Sequence, residues 1–136
     1  MERSRLQILI VLGVIMLAVW ACNFSFSTAR IAGARLTADS AGTQETTSFT
    51  QDQGTFYCIV QLANAPEDTK LKAVWTAVEV AGEQSNVLID QAEITAGNQN
   101  VFTFSLSSDQ PWPVGKYKVD LYLDDKLDRT LGFEVR

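Results

Sequence analysis

Histidine is absent from all 136 residues of the chain. That removes the commonest general base and the commonest protein metal ligand together. His-based catalytic triads and most transition-metal sites are excluded with it. Cysteine is nearly absent as well, with only Cys22 and Cys58 present. Lysine and arginine never gather into a cluster. Lys70, Lys72, Lys116 and Lys118 come nearest, and acidic residues surround them in sequence, so they read as solvated strand faces. Phosphate recognition needs concentrated positive charge, and the formal net charge here is −5, so nucleic acid is not an expected partner. Glycine and proline, at 8 and 3 residues, are too sparse for a low-complexity chain. No stretch after Cys22 sustains a helical period. What remains is an apolar-rich chain with room for one domain of about 100 residues, enough to bury a core without staples.

The first residues form a segment of their own. Arg3 and Arg5 precede an unbroken apolar run over 8–21. A cationic start followed by a run of that length is the pattern of a secretory signal peptide or an N-terminal hydrophobic anchor helix. The run falls short of the roughly 20 apolar residues a membrane span needs. Counting from Leu6 to Phe26 reaches that length only by including Gln7, Asn23 and Ser25. Removing residues 1–21 deletes Glu2, Arg3 and Arg5 and moves the formal charge from −5 to −6.

The run closes on Leu17-Ala18-Val19-Trp20-Ala21-Cys22, which resembles the lipobox of bacterial lipoproteins. Val19, Ala21 and Cys22 match that pattern, and Trp20 departs from it. The resemblance implies cleavage ahead of Cys22 and a diacylglycerol on its thiol. An uncleaved anchor and a cleaved, freely secreted form are the alternatives. All three place the rest of the chain outside the cytoplasm. The first two leave it tethered to the membrane, because each buried acyl CH₂ is worth about 0.8 kcal/mol. An acylated Cys22 leaves Cys58 without a partner; an unlipidated one would permit a Cys22–Cys58 disulfide.

The expected organisation is therefore a signal or anchor over 1–21, a polar spacer over 22–30, and one domain over 31–136. Within that domain the hydrophobic period is two. Phe56, Cys58, Val60 and Leu62 form one inward set. Leu71, Ala73, Trp75 and Ala77 form another, as do Phe102, Phe104 and Leu106. Tyr117, Val119, Leu121 and Leu123 follow, then Leu131, Phe133 and Val135. Alternation of this kind marks antiparallel sheets buried on one face. Weaker strands are predicted near 31–37, 48–51 and 87–94. Turn chemistry separates them at 64–68, 81–83 and 96–98. Leu123-Asp124-Asp125-Lys126 reads as a tight hairpin. Ser107-Ser108-Asp109-Gln110-Pro111-Trp112-Pro113 reads as a crossover between sheets, because each proline removes a ladder donor. Seven or eight strands result, an all-β antiparallel sandwich.

At this point the chain resembles the immunoglobulin-like, or fibronectin-like, sandwiches. Cys58 sits mid-strand and Trp75 follows on the next strand, the order in which that fold packs a cysteine against a tryptophan. Lys116-Tyr117-Lys118-Val119 resembles its tyrosine corner, with Val119 where the second core cysteine would stand. The resemblance implies a buried free thiol at Cys58 and no inter-sheet disulfide. It implies nothing about ligand.

Candidate chemistry is thin, and catalysis, cofactors and a metal site are not expected. Cys58 alternates with core residues and has no histidine partner. Trp75 reads as core, and Trp112 as a plug at one end of the sandwich. Asp120, Asp124, Asp125 and Asp128 read as solvated charge, with a weak calcium site as the alternative. The better lead is a surface. Val74, Thr76, Val78 and Tyr122 share an outward face with Thr130 and Gly132, edged by Lys118 and Asp120. That face is more apolar than a solvated one should be. The expectation is a noncatalytic protein-binding or adhesion module of the cell envelope, contacting another envelope or surface protein. The alternatives are a structural subunit joined by edge-strand pairing and a carbohydrate-binding module built on Tyr57, Trp112 and Tyr122. Free sheet edges would favour the first alternative, and a bare apolar face would favour the binding module.

Overall fold

A computed structural model describes residues 28–136. The expectations placed on residues 1–21 and on Cys22 lie outside the described residues. Eight strands follow in order: β1 (Arg30–Thr37), β2 (Ser48–Phe49), β3 (Thr55–Ala63), β4 (Lys70–Val80), β5 (Val87–Thr95), β6 (Val101–Ser107), β7 (Gly115–Leu123) and β8 (Lys126–Val135). They form two sheets, one ordered β1-β3-β6 and the other β2-β8-β7-β4-β5. All pairings are antiparallel except that of β2 with β8. The three weaker strands of the sequence reading are β1, β2 and β5.

The core is built from the inward sets. Phe56, Cys58, Val60, Leu71, Ala73, Val119 and Leu121 have no exposed surface at all. Their alternation with wetter residues is what seats each strand with one face inward. Toward one end of the sandwich the filling becomes aromatic. Phe133 lies edge-on to Trp75 at 6.0 Å and to Phe56 at 5.3 Å, and stacks on Tyr117 at 5.4 Å. Phe49, from the two-residue β2, closes on Phe56 at 4.5 Å. Trp112 seals this end, 4.8 Å from Phe56, with only 6% of its surface exposed.

The crossover between sheets is held by a side chain. The Tyr117 hydroxyl donates to the Pro113 carbonyl at 2.6 Å. Burial, with Glu83 adding to it, raises the Tyr117 pKa, so the hydroxyl keeps the proton it donates. Two residues before it, Gly115 lets β7 pass close under β4. A Cβ there would stand 2.3 Å from the Glu79 carbonyl oxygen and 2.8 Å from Val80 Cα. The hairpin between β7 and β8 turns on Asp124 and Asp125, both at positive φ (47° and 66°), the geometry of a two-residue primed turn. Asp124 also bonds both ways to Lys70, accepting from its N–H and donating to its carbonyl, each at 2.9 Å.

Strand direction fixes the two ends. Arg30 pairs with Ala63 and Gln61 with Val101, while Leu71 pairs with Leu123 and Lys70 with Thr95. The described chain therefore begins at the end that carries loops 64–69 and 96–100 and the 124–125 turn; this is the proximal end. Loops 81–86 and 108–114, with Arg136, lie at the opposite, distal end.

Candidate functional site

The outward face of the five-stranded sheet carries the residues singled out in the sequence. Register sets Thr76 beside Lys118 and Gly132, and Val74 beside Asp120 and Thr130. All these belong to adjoining strands, so the structure does bring the predicted set together. The set is less bare than alternation implies. Thr76 and Asp120 are each only 8% exposed, and Val74, Val78 and Tyr122 are half-buried. Asp120 accepts a hydrogen bond from the Thr130 hydroxyl and pairs with Lys118 at 3.3 Å. The Lys72 ammonium lies 4.7 Å from the centroid of the Tyr122 ring. The Thr130–Asp120 bond and the Lys72–Tyr122 contact therefore run from strand to strand, while the Lys118–Asp120 ion pair lies along β7, and the apolar side chains among them are left half-buried. What stays open is a shallow depression of about 490 Å³, floored by the missing side chain of Gly132 and walled by Val78, Lys118, Thr130 and Glu134.

A second opening, of about 610 Å³, lies at the proximal end between loops 64–69 and 96–100. Its polar lining is five amides and one carboxylate, among them Asn64, Glu67 and Asn98, with Leu62, Ala63 and Ala65 between them. The three aromatics considered for a sugar platform do not share a surface. Trp112 is core, Tyr57 alternates outward on the three-stranded sheet, and Tyr122 is on the other sheet. Of the four carboxylates considered for calcium, Asp125 is exposed in the turn and the other three are held by separate partners. Asp120 holds Thr130 and Lys118, Asp124 holds Lys70, and Asp128 pairs with Arg129 at 2.9 Å. Among the described residues no group of three or more potential metal-ligating side chains forms. Cys58 is enclosed between the sheets, and burial pushes its thiol pKa up to about 12. At that value it carries essentially no thiolate at neutral pH and is chemically quiet.

The sheet edges were not located by the sequence reading. Among the described residues no further strand pairs beyond β6 or beyond β5. The large apolar side chains that are well exposed lie near these edges and at loop ends: Leu88 is 55% exposed and Val101 51%, with Val87, Val114 and Leu127 also exposed.

Known structures share this arrangement. An immunoglobulin-like protein from Pseudomonas aeruginosa superposes with a TM-score of 0.57 at 20% identity, over 83% of this chain and 100% of that one. The fold is an immunoglobulin-like sandwich. The same module is found inside larger proteins. The alkylpurine DNA glycosylase AlkC of Pseudomonas fluorescens, solved on DNA with an abasic-site analogue, matches at TM-score 0.52 and 13% identity over 81% of this chain. A β-glucosidase of Listeria innocua matches at 0.50 and 13% over 82%. This chain spans 31% of the glycosylase and 17% of the glucosidase. At these identities the likeness establishes architecture alone. No protein-family model and no curated protein matches the sequence. The immunoglobulin-like features read from the sequence are present: a buried free Cys58, a buried Trp75, and a tyrosine corner closed by Tyr117.

Proposed function

We propose that this chain is a noncatalytic binding module of the cell envelope, held at the extracytoplasmic membrane surface by lipid on Cys22. Its contact with another envelope or surface protein runs through an open sheet edge. The observation that carries this reading is the contrast between faces and edges. The outward sheet face carries polar contacts of its own, along β7 and across to β4 and β8, while among the described residues the β5 and β6 edges have no partner strand. That favours the edge-paired subunit over the face-binding module. The noncatalytic part of the reading is supported by the lack of histidine and by the one described thiol being buried and protonated.

The tether is tested by the intact mass of the protein taken from its native membrane. The expected mass is that of residues 22–136 plus acyl groups. The mass of the whole chain would replace the lipid with a retained anchor. An unacylated, truncated mass in the soluble fraction would overturn the tether altogether.

A second mode, through the sheet face, is favoured by the depression at Val78 and Gly132. Val78→Lys separates the two. Half-buried at the rim, this position accepts a long side chain at a cost of about 1 kcal/mol or less, since the ammonium reaches water. On the edge reading, partner capture and oligomeric state are unaltered in this variant. Loss of capture, with an unchanged circular dichroism spectrum, would move the contact to the face.

A further inference from the structure

We propose that the open edge of β6 is a strand-addition site that takes a single extended segment of another protein, apolar toward the sandwich and carrying one Lys or Arg. This rests on the edge-contact reading above and assigns it to one strand.

The four sheet edges differ in how they are protected. Natural edges are blunted by charge, bulges, brevity or covering. The β1 edge carries Arg30 and Arg35, has a bulge between Ile31 and Gly33, and is crossed by Arg129, whose guanidinium donates to the Ile31 carbonyl at 2.7 Å. β2 is two residues long. β5 carries Asp90 and Glu93 and is broken by a bulge at Ile89. β6 has none of these. It runs Val101-Phe102-Thr103-Phe104-Ser105-Leu106-Ser107, without charge, proline or register shift against β3.

The phase of its backbone follows from the two ends of the β3–β6 ladder. Leu62 N–H donates to the Asn100 carbonyl at 2.7 Å, and Ser108 N–H donates to the Gly54 carbonyl at 3.0 Å. Both bonds fall on the same register as the strand pairs between them. Hydrogen-bonded and non-hydrogen-bonded pairs alternate along an antiparallel ladder. Phe102, Phe104 and Leu106 therefore bond to β3. The N–H and C=O groups of Val101, Thr103, Ser105 and Ser107 point to the open side.

The seat beside them is one strand wide. β5, on the same side of the sandwich, extends past the three-stranded sheet. Asp90 and Ala92 pair with the inward-facing Trp75 and Ala73, yet both are exposed. A strand added to β6 would cover them. Its inward side chains would meet Ala92 and the Asp90 carboxylate, which asks for small apolar residues and one cation. A second copy of this chain is the poorer occupant. Pairing β6 with its own equivalent would drive two projecting β5 strands together, each bearing Asp90 and Glu93.

The probe is the capped peptide Thr-Val-Thr-Lys-Thr-Val-Thr, added to the full chain in lipid nanodiscs while amide hydrogen exchange is followed residue by residue. Saturating peptide is expected to slow exchange at Val101, Thr103, Ser105 and Ser107 by about tenfold or more. Thr103→Pro removes one outward N–H and leaves the β3 ladder whole, a placement edge strands tolerate. It is expected to weaken the peptide by about tenfold with a melting temperature close to that of the parent. Replacing the peptide lysine by glutamate is expected to weaken it as well. Unchanged affinity in Thr103→Pro, or no slowing at the four amides, overturns the assignment. Slowing confined to Val87–Thr95 overturns β6 while keeping edge contact as the mode; the lipid tether stands or falls separately, on the intact mass.

Discussion

Trp75→Ala is expected to lower stability by about 3–5 kcal/mol, the range for truncating a large buried aromatic. The residue is 1% exposed on β4, between Val119 of β7 and Asp90 of β5, and its ring faces Phe133 across 6.0 Å. Removing it takes away the transfer energy of the indole and leaves a cavity that strands hydrogen-bonded on both sides cannot close. Domains of this size have about 5–15 kcal/mol in all. Each kcal/mol moves the midpoint by about 4–8 °C. Thermal or urea unfolding of the variant should therefore show a midpoint lower by well over ten degrees, or no folded baseline at all. A midpoint within a degree or two of the parent would mean that the indole is not packed between the sheets.

Phe133→Ala should rank beside it, at about 3–5 kcal/mol. Its ring touches Phe49, Phe56, Trp75 and Tyr117, with centroid separations of 5.5, 5.3, 6.0 and 5.4 Å. Aromatic pairs contribute about 0.5–1.5 kcal/mol each beyond the area they bury, so losing four at once is more than a volume change. Phe133→Leu separates the two effects. It retains most of the volume and should recover part, but not all, of the loss in a denaturant titration. Full recovery would show that the rings act only as filling.

Strand content was most legible where a strand buries one face and wets the other, as Phe102-Thr103-Phe104-Ser105-Leu106 does, and weaker in β5, which has no fully buried residue. The tyrosine corner was legible because its donor and acceptor are four residues apart in one segment. Other features depend on parts of the chain that alternation does not connect. Ile59 has outward parity but is buried, because loop 38–47 brings Gly42 over its side chain and Arg35 beside it. Asp120 is buried on the outward face, where Thr130 reaches it from β8 and Lys118 from two residues back on its own strand. The two residues of β2 are too short for a period, yet Phe49 completes the aromatic end of the core. Parity put the candidate residues on one face, and the register sets them on adjoining strands. The exposure of that face was overestimated, since parity says nothing about side chains leaning across a strand. The β6 edge was invisible for a related reason. Whether a strand lies at the centre or the border of a sheet is decided by topology, and Val101-Phe102-Thr103-Phe104 would read the same in either place.

The direction of β1 has a mechanical consequence. The described chain begins at the proximal end, and β1 runs from there down the length of the sandwich against β3. A pull on the chain ahead of Thr28, resisted by a partner held lower on the domain, acts along the β1 axis. The hydrogen bonds joining β1 to β3 stand across that axis. They are loaded together in shear, rather than one after another as in the peeling of a strand from its end. The Arg129 guanidinium, bonded to the Ile31 carbonyl from β8, carries part of the same load into the other sheet. On the proposed tether, a strand whose edge offers little to recognition would be the one to bear tension between the membrane and whatever the β6 edge holds.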